Sequence, residues 1–118
     1  MSRYMRAAGT MMLVLVAATP APGHHGWSQY DDSQTLTLVG VVREATFEHP
    51  HAVLRLEAAA RVWTVILPPP PRAARLGLTA RTLRAGQTVT VVAHPHRVTP
   101  DEVRALRLTV GETTISLR

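Results

Sequence analysis

The sequence predicts a mainly β chain that folds as one small barrel of five to six strands, with a single short helix after the third strand. Three observations carry this. Short runs of alternating apolar and polar residues recur from residue 35 to the end, separated by glycine and proline turn signals. The first run is too long for one straight strand and has a glycine inside it, which calls for strong curvature. The one helix-prone stretch falls between the third and fourth runs. Together they favour the five-stranded Greek-key barrel of the OB type, whose closure also disposes of exposed strand edges.

Taken in order, residues 24–34 form a polar N-terminal arm in which Trp27 and Tyr30 are the only large apolar groups, closed by the turn signal "DDSQ" (31–34). The first strand, "TLTLVGVVREATF" (35–47), places Leu36 and Leu38 on one face and is interrupted by Gly40, where a bulge or bend is expected. "HAVLRLEA" (51–58) sets Leu54 and Leu56 against Val53, Arg55 and Glu57. "RVWTVILP" (61–68) follows closely enough to pair with it as a hairpin, and both its faces are apolar enough to be covered. Prolines 68–71 end that strand because proline cannot donate to a ladder. "RAARLGL" (72–78) is a brief helix stopped by Gly77, and 79–87 adds a further turn closed by Gly86. "TVTVVAHPH" (88–96) points Val89, Val91 and Ala93 to one side. "EVRALRLTV" (102–110) alternates through Leu106, Leu108 and Val110, and "TTISLR" (113–118) is a last short strand.

The chain start has a different character. Arg3 and Arg6, then the apolar run 7–18, then "TPAPG" (19–23), have the layout of a secretory signal over 1–23. The apolar run falls short of the roughly 20 residues that a membrane-spanning helix needs. Cleavage is expected after Ala18 or after Gly23. The second would leave His24 with a free α-amine beside its imidazole, a chelating pair. The domain is then 24–118, exported to the periplasm or beyond, with no membrane span of its own. All four methionines leave with the leader, and the chain has no cysteine. Disulfides, thiolate chemistry and thioether copper(I) sites are thereby excluded. Eleven arginines against eight acidic residues remain, a balance too modest to argue for nucleic acid.

The six histidines fall as three close pairs: His24–His25, His49–His51 and His94–His96. Neutral imidazole is the commonest metal ligand. In a strand, residues i and i+2 share a face roughly 6.6 Å apart, close enough to lean toward one ion at bond lengths of about 2.0 Å. His49 and His51 meet this condition if the chain stays extended through Pro50, as the residue before a proline tends to be. If the arm folds back across the barrel mouth, His24, His25, His49 and His51 form an all-nitrogen site suited to copper(II) or zinc. Asp31, Asp32 or Glu48 are candidates to add an oxygen or to orient an imidazole. His94 and His96 belong to this site, to a second one, or to none. No catalysis is expected. Ser28 and Ser33 lack a nucleophile-elbow context, no phosphate-binding glycine loop occurs, and Glu48 stands alone as a base.

An arm reading "HHGW…YD", a "VVREATFEHPHAVLRLE" hairpin, the segment "LTARTLRAGQTVTVVAHPHR" and the closing "VRALRLTVGETTISLR" resemble a family of small exported bacterial proteins known only as a domain of unknown function. Its members show a double histidine followed by a small residue and an aromatic, matched here by His24, His25, Gly26 and Trp27. They also show Asn-Pro-His ahead of the second strand, matched by His49-Pro50-His51 with histidine in the asparagine place. The resemblance implies a periplasmic β-barrel module and no particular activity. Two functions are therefore expected as rivals. One is a binder of a divalent transition metal. The other is a module that uses an arginine-flanked groove for an envelope protein or an anionic ligand, with His25 and His51 only tying the arm to the barrel.

Overall fold

A computed structural model describes residues 26–118. The expected signal segment, 1–23, and the arm histidines His24 and His25 lie outside the described residues. The strands are β1 (Leu36–Phe47), β2 (Ala52–Ala58), β3 (Arg61–Ile66), β4 (Thr88–Pro95), β5 (Glu102–Val110) and β6 (Thr113–Ser116), with one helix, α1 (Pro70–Arg75). β1 pairs antiparallel with β4 through Leu36–Val41 and with β2 through Val41–Phe47. β2 pairs with β3, and β4 with β5. A short parallel pairing of Thr64–Ile66 with Glu102–Arg104 joins β3 to β5 and closes a five-stranded barrel of the expected OB type. β6 adds a sixth strand on the outer flank of β5. No helix among the described residues is long and apolar enough to cross a membrane.

Period-two patterning sets the core. Leu38 and Val42 of β1, Leu54 and Leu56 of β2, Val65 of β3, Val89 and Val91 of β4, and Val103 and Leu108 of β5 point inward and are buried. Two local expectations differ from what forms. The irregularity of β1 lies at Arg43, between Val42 and Glu44, and not at Gly40, which keeps regular register with Val89. In β5 the expected Leu106–Leu108–Val110 face is broken. The register slips so that Val92 faces Arg107 and Ala93 faces Ala105, leaving Leu106 as the extra residue. Val103 and Ala105 therefore share the interior with Leu108, while Leu106 is only half-buried and its carbonyl takes the Leu117 amide at 2.8 Å. One inserted residue reverses which face the next residues present, and no periodicity announces where it falls.

The helix starts two residues earlier than expected, inside the proline run. Pro70 and Pro71 occupy its first turn, where a missing N–H costs nothing and the ring presets φ. It ends at Gly77, with φ of +87°. The Gly77 amide bonds the Ala74 carbonyl at 3.0 Å and the Leu78 amide bonds that of Ala73 at 2.8 Å, the paired closing bonds of a left-handed helix cap. Ala73, Leu78 and Leu83 complete the core from this side.

The β2–β3 hairpin turns on Ala59 and Ala60, with φ of 52° and 60°. A two-residue turn with both φ positive suits Asn-Gly, while each L-alanine there costs about 1–2 kcal/mol. Replacing Ala59-Ala60 by Asn-Gly is expected to raise stability by about 1 kcal/mol, read as a higher urea midpoint at unchanged m-value.

Candidate functional site

The arm enters as a single 3-10 turn, Trp27–Gln29. It then runs beside the end of β4. The Asp31 amide donates to the Pro95 carbonyl at 2.8 Å, and the Arg97 amide donates to that of Gln29 at 2.9 Å, bracketing an isolated bridge between Tyr30 and His96. The Arg97 side chain adds a bond from Nε to the Ser28 carbonyl at 3.0 Å. Asp31 closes the arm by accepting from the Ser33 amide, the Ser33 hydroxyl and the Gln34 amide nitrogen. Those bonds hold its carboxyl below the usual carboxylate range. Asp31 is thus committed to a turn, and Asp32 and Glu48 are exposed.

Tyr30 is the latch. It is 1% exposed, yet it lies outside the interior cluster, as do Ile66 and His94. Ile66 and His94 follow the inward-facing Val65 and Ala93, so their side chains leave the outer face of the barrel, and the arm reaches His94 through the Gln34 carbonyl. The Tyr30 hydroxyl donates to Glu102 Oε2 at 2.8 Å, and its ring meets the His96 ring edge-on at 5.1 Å. Burial, then the hydrogen bond and negative charge of Glu102, raise the phenol well above its ordinary value, with Arg104 opposing.

The two described histidine pairs fall in different places. At the first, the chain bends at 49–50 and does not run extended, and the His49–Pro50 peptide bond is cis. The bend replaces the extended run through Pro50 on which the expected spacing of His49 and His51 depended. His49 is exposed, while His51 is half-buried, with Nδ1 3.0 Å from the Leu67 carbonyl. A carbonyl only accepts, so Nδ1 carries the proton and Nε2 the lone pair. His94 is held likewise, Nδ1 to the Gln34 carbonyl at 2.6 Å. His96 is the reverse case. Its Nδ1 accepts from the Val98 and Thr99 amides at 3.1 and 2.8 Å, which puts the proton on Nε2, 3.7 Å from Glu102. It organises the β4–β5 loop.

The described arm residues meet His94 and His96; the expected meeting of His24 and His25 with His49 and His51 lies outside the described residues. β3 and β5 stand between the β2 end that bears His51 and the β4 end that bears His94. No group of three or more His, Cys, Asp or Glu placed to hold a metal occurs among the described residues.

Around Trp27 the structure assembles residues that the sequence did not connect. The guanidinium carbons of Arg104 and Arg118 stand 4.1 and 4.5 Å from its ring centroid, contacts worth about 0.5–2 kcal/mol each. The ring also meets His94 edge-on at 6.4 Å. Burial, followed by the like charges of Arg118 and Arg72, lowers the Arg104 guanidinium from its usual value, with Tyr30 opposing. The only forewarning in the sequence was the lone aromatic pair of a polar arm. The far side of the barrel holds an open hollow of about 500 Å³ lined by Arg43, Glu44, Arg55, Glu57 and Arg61. Its charges are largely matched among neighbours: Arg43 with Glu57, Arg61 with Asp101, and Arg55 with the Thr64 hydroxyl.

Fold and site together define a class: a closed five-stranded barrel module whose N-terminal arm is latched to its outer face by Tyr30 and Trp27. The chain belongs to a family of unknown function (DUF6152), whose model matches residues 11–102, from before the arm to the first residue of β5. No curated protein matches the sequence.

Proposed function

We propose that this is an exported, periplasmic barrel protein that binds a divalent transition metal, copper(II) or zinc, through His24, His25 and His51. The observation that carries the reading is the seating of His51. A ligating histidine characteristically gives its other ring N–H to a carbonyl or carboxylate, which fixes tautomer and ring direction. The Leu67 carbonyl does this for His51, which makes Nε2 the ligating atom of the proposed site. With neither cysteine nor methionine after the leader, nitrogen donors favour copper(II), then zinc. His49, exposed on its bend, is the histidine of the predicted set whose removal costs least.

Equilibrium dialysis of the chain starting at His24 tests this. It is expected to retain one copper(II) or zinc ion at micromolar metal. His51→Ala should weaken retention at least tenfold and His49→Ala less than threefold. Retention should also fall as pH drops through the ordinary imidazole range near 6.5, since protonated imidazole cannot ligate. Absence of retained metal in the unmutated protein at micromolar concentration overturns the proposal.

A further inference from the structure

We propose that the outer face of β4–β5 beside Trp27 is a separate anion site. It takes a small oxyanion that keeps a proton at neutral pH, namely hydrogen phosphate, between Arg104, Arg118 and His94. His94 and Arg104 are direct cross-strand partners, so their side chains leave the sheet on the same face. Trp27 joins both to Arg118. Arg72 at α1 adds a third positive charge that Arg104 feels. Glu102, the carboxylate two residues back on the same face of β5, is taken by the Tyr30 hydroxyl. Arg104 and Arg118, both stacked on Trp27, disfavour a divalent cation and suit an oxyanion, which guanidinium groups bind through charge-assisted hydrogen bonds. A guanidinium has five N–H donors, so Arg104 can serve a protein neighbour and a ligand together.

His94 sets the kind of anion. It is 7% exposed, its Nδ1 proton is committed to the Gln34 carbonyl, and its Nε2 meets no hydrogen-bond partner among the described residues. A buried acceptor is satisfied only by a donor. Hydrogen phosphate supplies one through its remaining proton. Sulfate has none at neutral pH, and a phosphate monoester, with its second ionisation near 6, has largely lost its own by pH 7.5.

The test is a titration at pH 7.5, with chelator present to exclude metal, following Trp27 fluorescence in a Trp63→Phe background and repeated by calorimetry. The probes are inorganic phosphate, sulfate and glycerol phosphate. Phosphate is expected to bind at least tenfold more tightly than either of the others. His94→Asn keeps an amide donor for the Gln34 carbonyl and withdraws the acceptor from the Nε2 position, its shorter side chain holding its own oxygen back near the place of the ring carbon, and should bring the phosphate-to-sulfate ratio to about one. Arg104→Gln should weaken every anion. If His94→Asn does not fold, the exposed Arg118→Gln must lower phosphate affinity at least fivefold. Equal binding of phosphate and sulfate by the unmutated site, no binding at millimolar concentrations, an unchanged ratio in His94→Asn, or unchanged affinity in Arg118→Gln each overturns the proposal.

Discussion

Gly40→Ala is expected to destabilise the protein by about 3 kcal/mol or more, the range reached when a packed site is overfilled and its neighbours cannot give. A Cβ built on Gly40 would stand 2.3 Å from the Glu57 carbonyl oxygen and 2.9 Å from the Ala58 Cβ. The first is backbone and belongs to β2, which is tied to β1 on one side and β3 on the other. Moving it disturbs both ladders. Gly40 sits just where β1 passes from β4 to β2, so the two halves of the barrel come closest there. The cost comes from contact and not from backbone conformation, since Gly40 is absent from the positive-φ glycines. For a domain of this size the melting temperature should fall by roughly 12–24 °C. Val39→Ala is the control: its side chain is 61% exposed, and the change should stay within about 0.5 kcal/mol. A Gly40→Ala protein melting within a few degrees of wild type contradicts the close approach.

Tyr30→Ala is expected to cost about 3–4 kcal/mol and to undock the arm. The substitution removes a buried aromatic ring and the phenol that tethers Glu102. Loss of the latch should also loosen the Asp31–Pro95 and Arg97–Gln29 backbone bonds, read as faster hydrogen exchange at the Asp31 and Arg97 amides. Tyr30→Phe keeps the ring and loses only the hydrogen bond to a charged group, about 1.5–3 kcal/mol. The pair separates packing from hydrogen bonding. Alkali gives a second check. The folded-state phenol ionises above its ordinary value of about 10, so its contribution is fully present below pH 10. It is lost as pH rises further, by about 1.4 kcal/mol per pH unit, because the unfolded chain gives up a proton that the folded chain keeps. Tyr30→Phe should flatten that slope between pH 10 and 11. An equal slope in both proteins removes Tyr30 as its source.

These two residues also mark how far the site could be read without coordinates. Trp27 and Tyr30 stand out in a polar arm, but the sequence posed the arm's fold-back only as a condition for the histidine site. Nothing local says which strand end receives them. The arm adds to the end of β4 because the Pro95 carbonyl and the Arg97 amide present backbone groups there and Glu102 offers the phenol an acceptor. Three histidine tripeptide or dipeptide motifs look alike in sequence. The roles of His51, His94 and His96 divide on which ring nitrogen finds a carbonyl and which finds an amide, and the carbonyl partners sit 16 residues away for His51 and 60 for His94. Arg104 and Arg118 carried no signal, since an arginine on an exposed strand face is ordinary until a tryptophan from the other end of the chain lies over it.

By itself the sequence determined the order of the strands with a count of five to six, the helix after β3, the residues that share a face in β2 and β4, and the stop at Gly77. These depend on side-chain period and on single-residue backbone preferences, which are local. Only the tertiary structure decided the bulges at Arg43 and Leu106, the close approach that reserves Gly40, and the partners of His51, His94 and His96. Those features arise where segments distant in sequence must share space to close a barrel, and no pattern within either segment encodes the other's position.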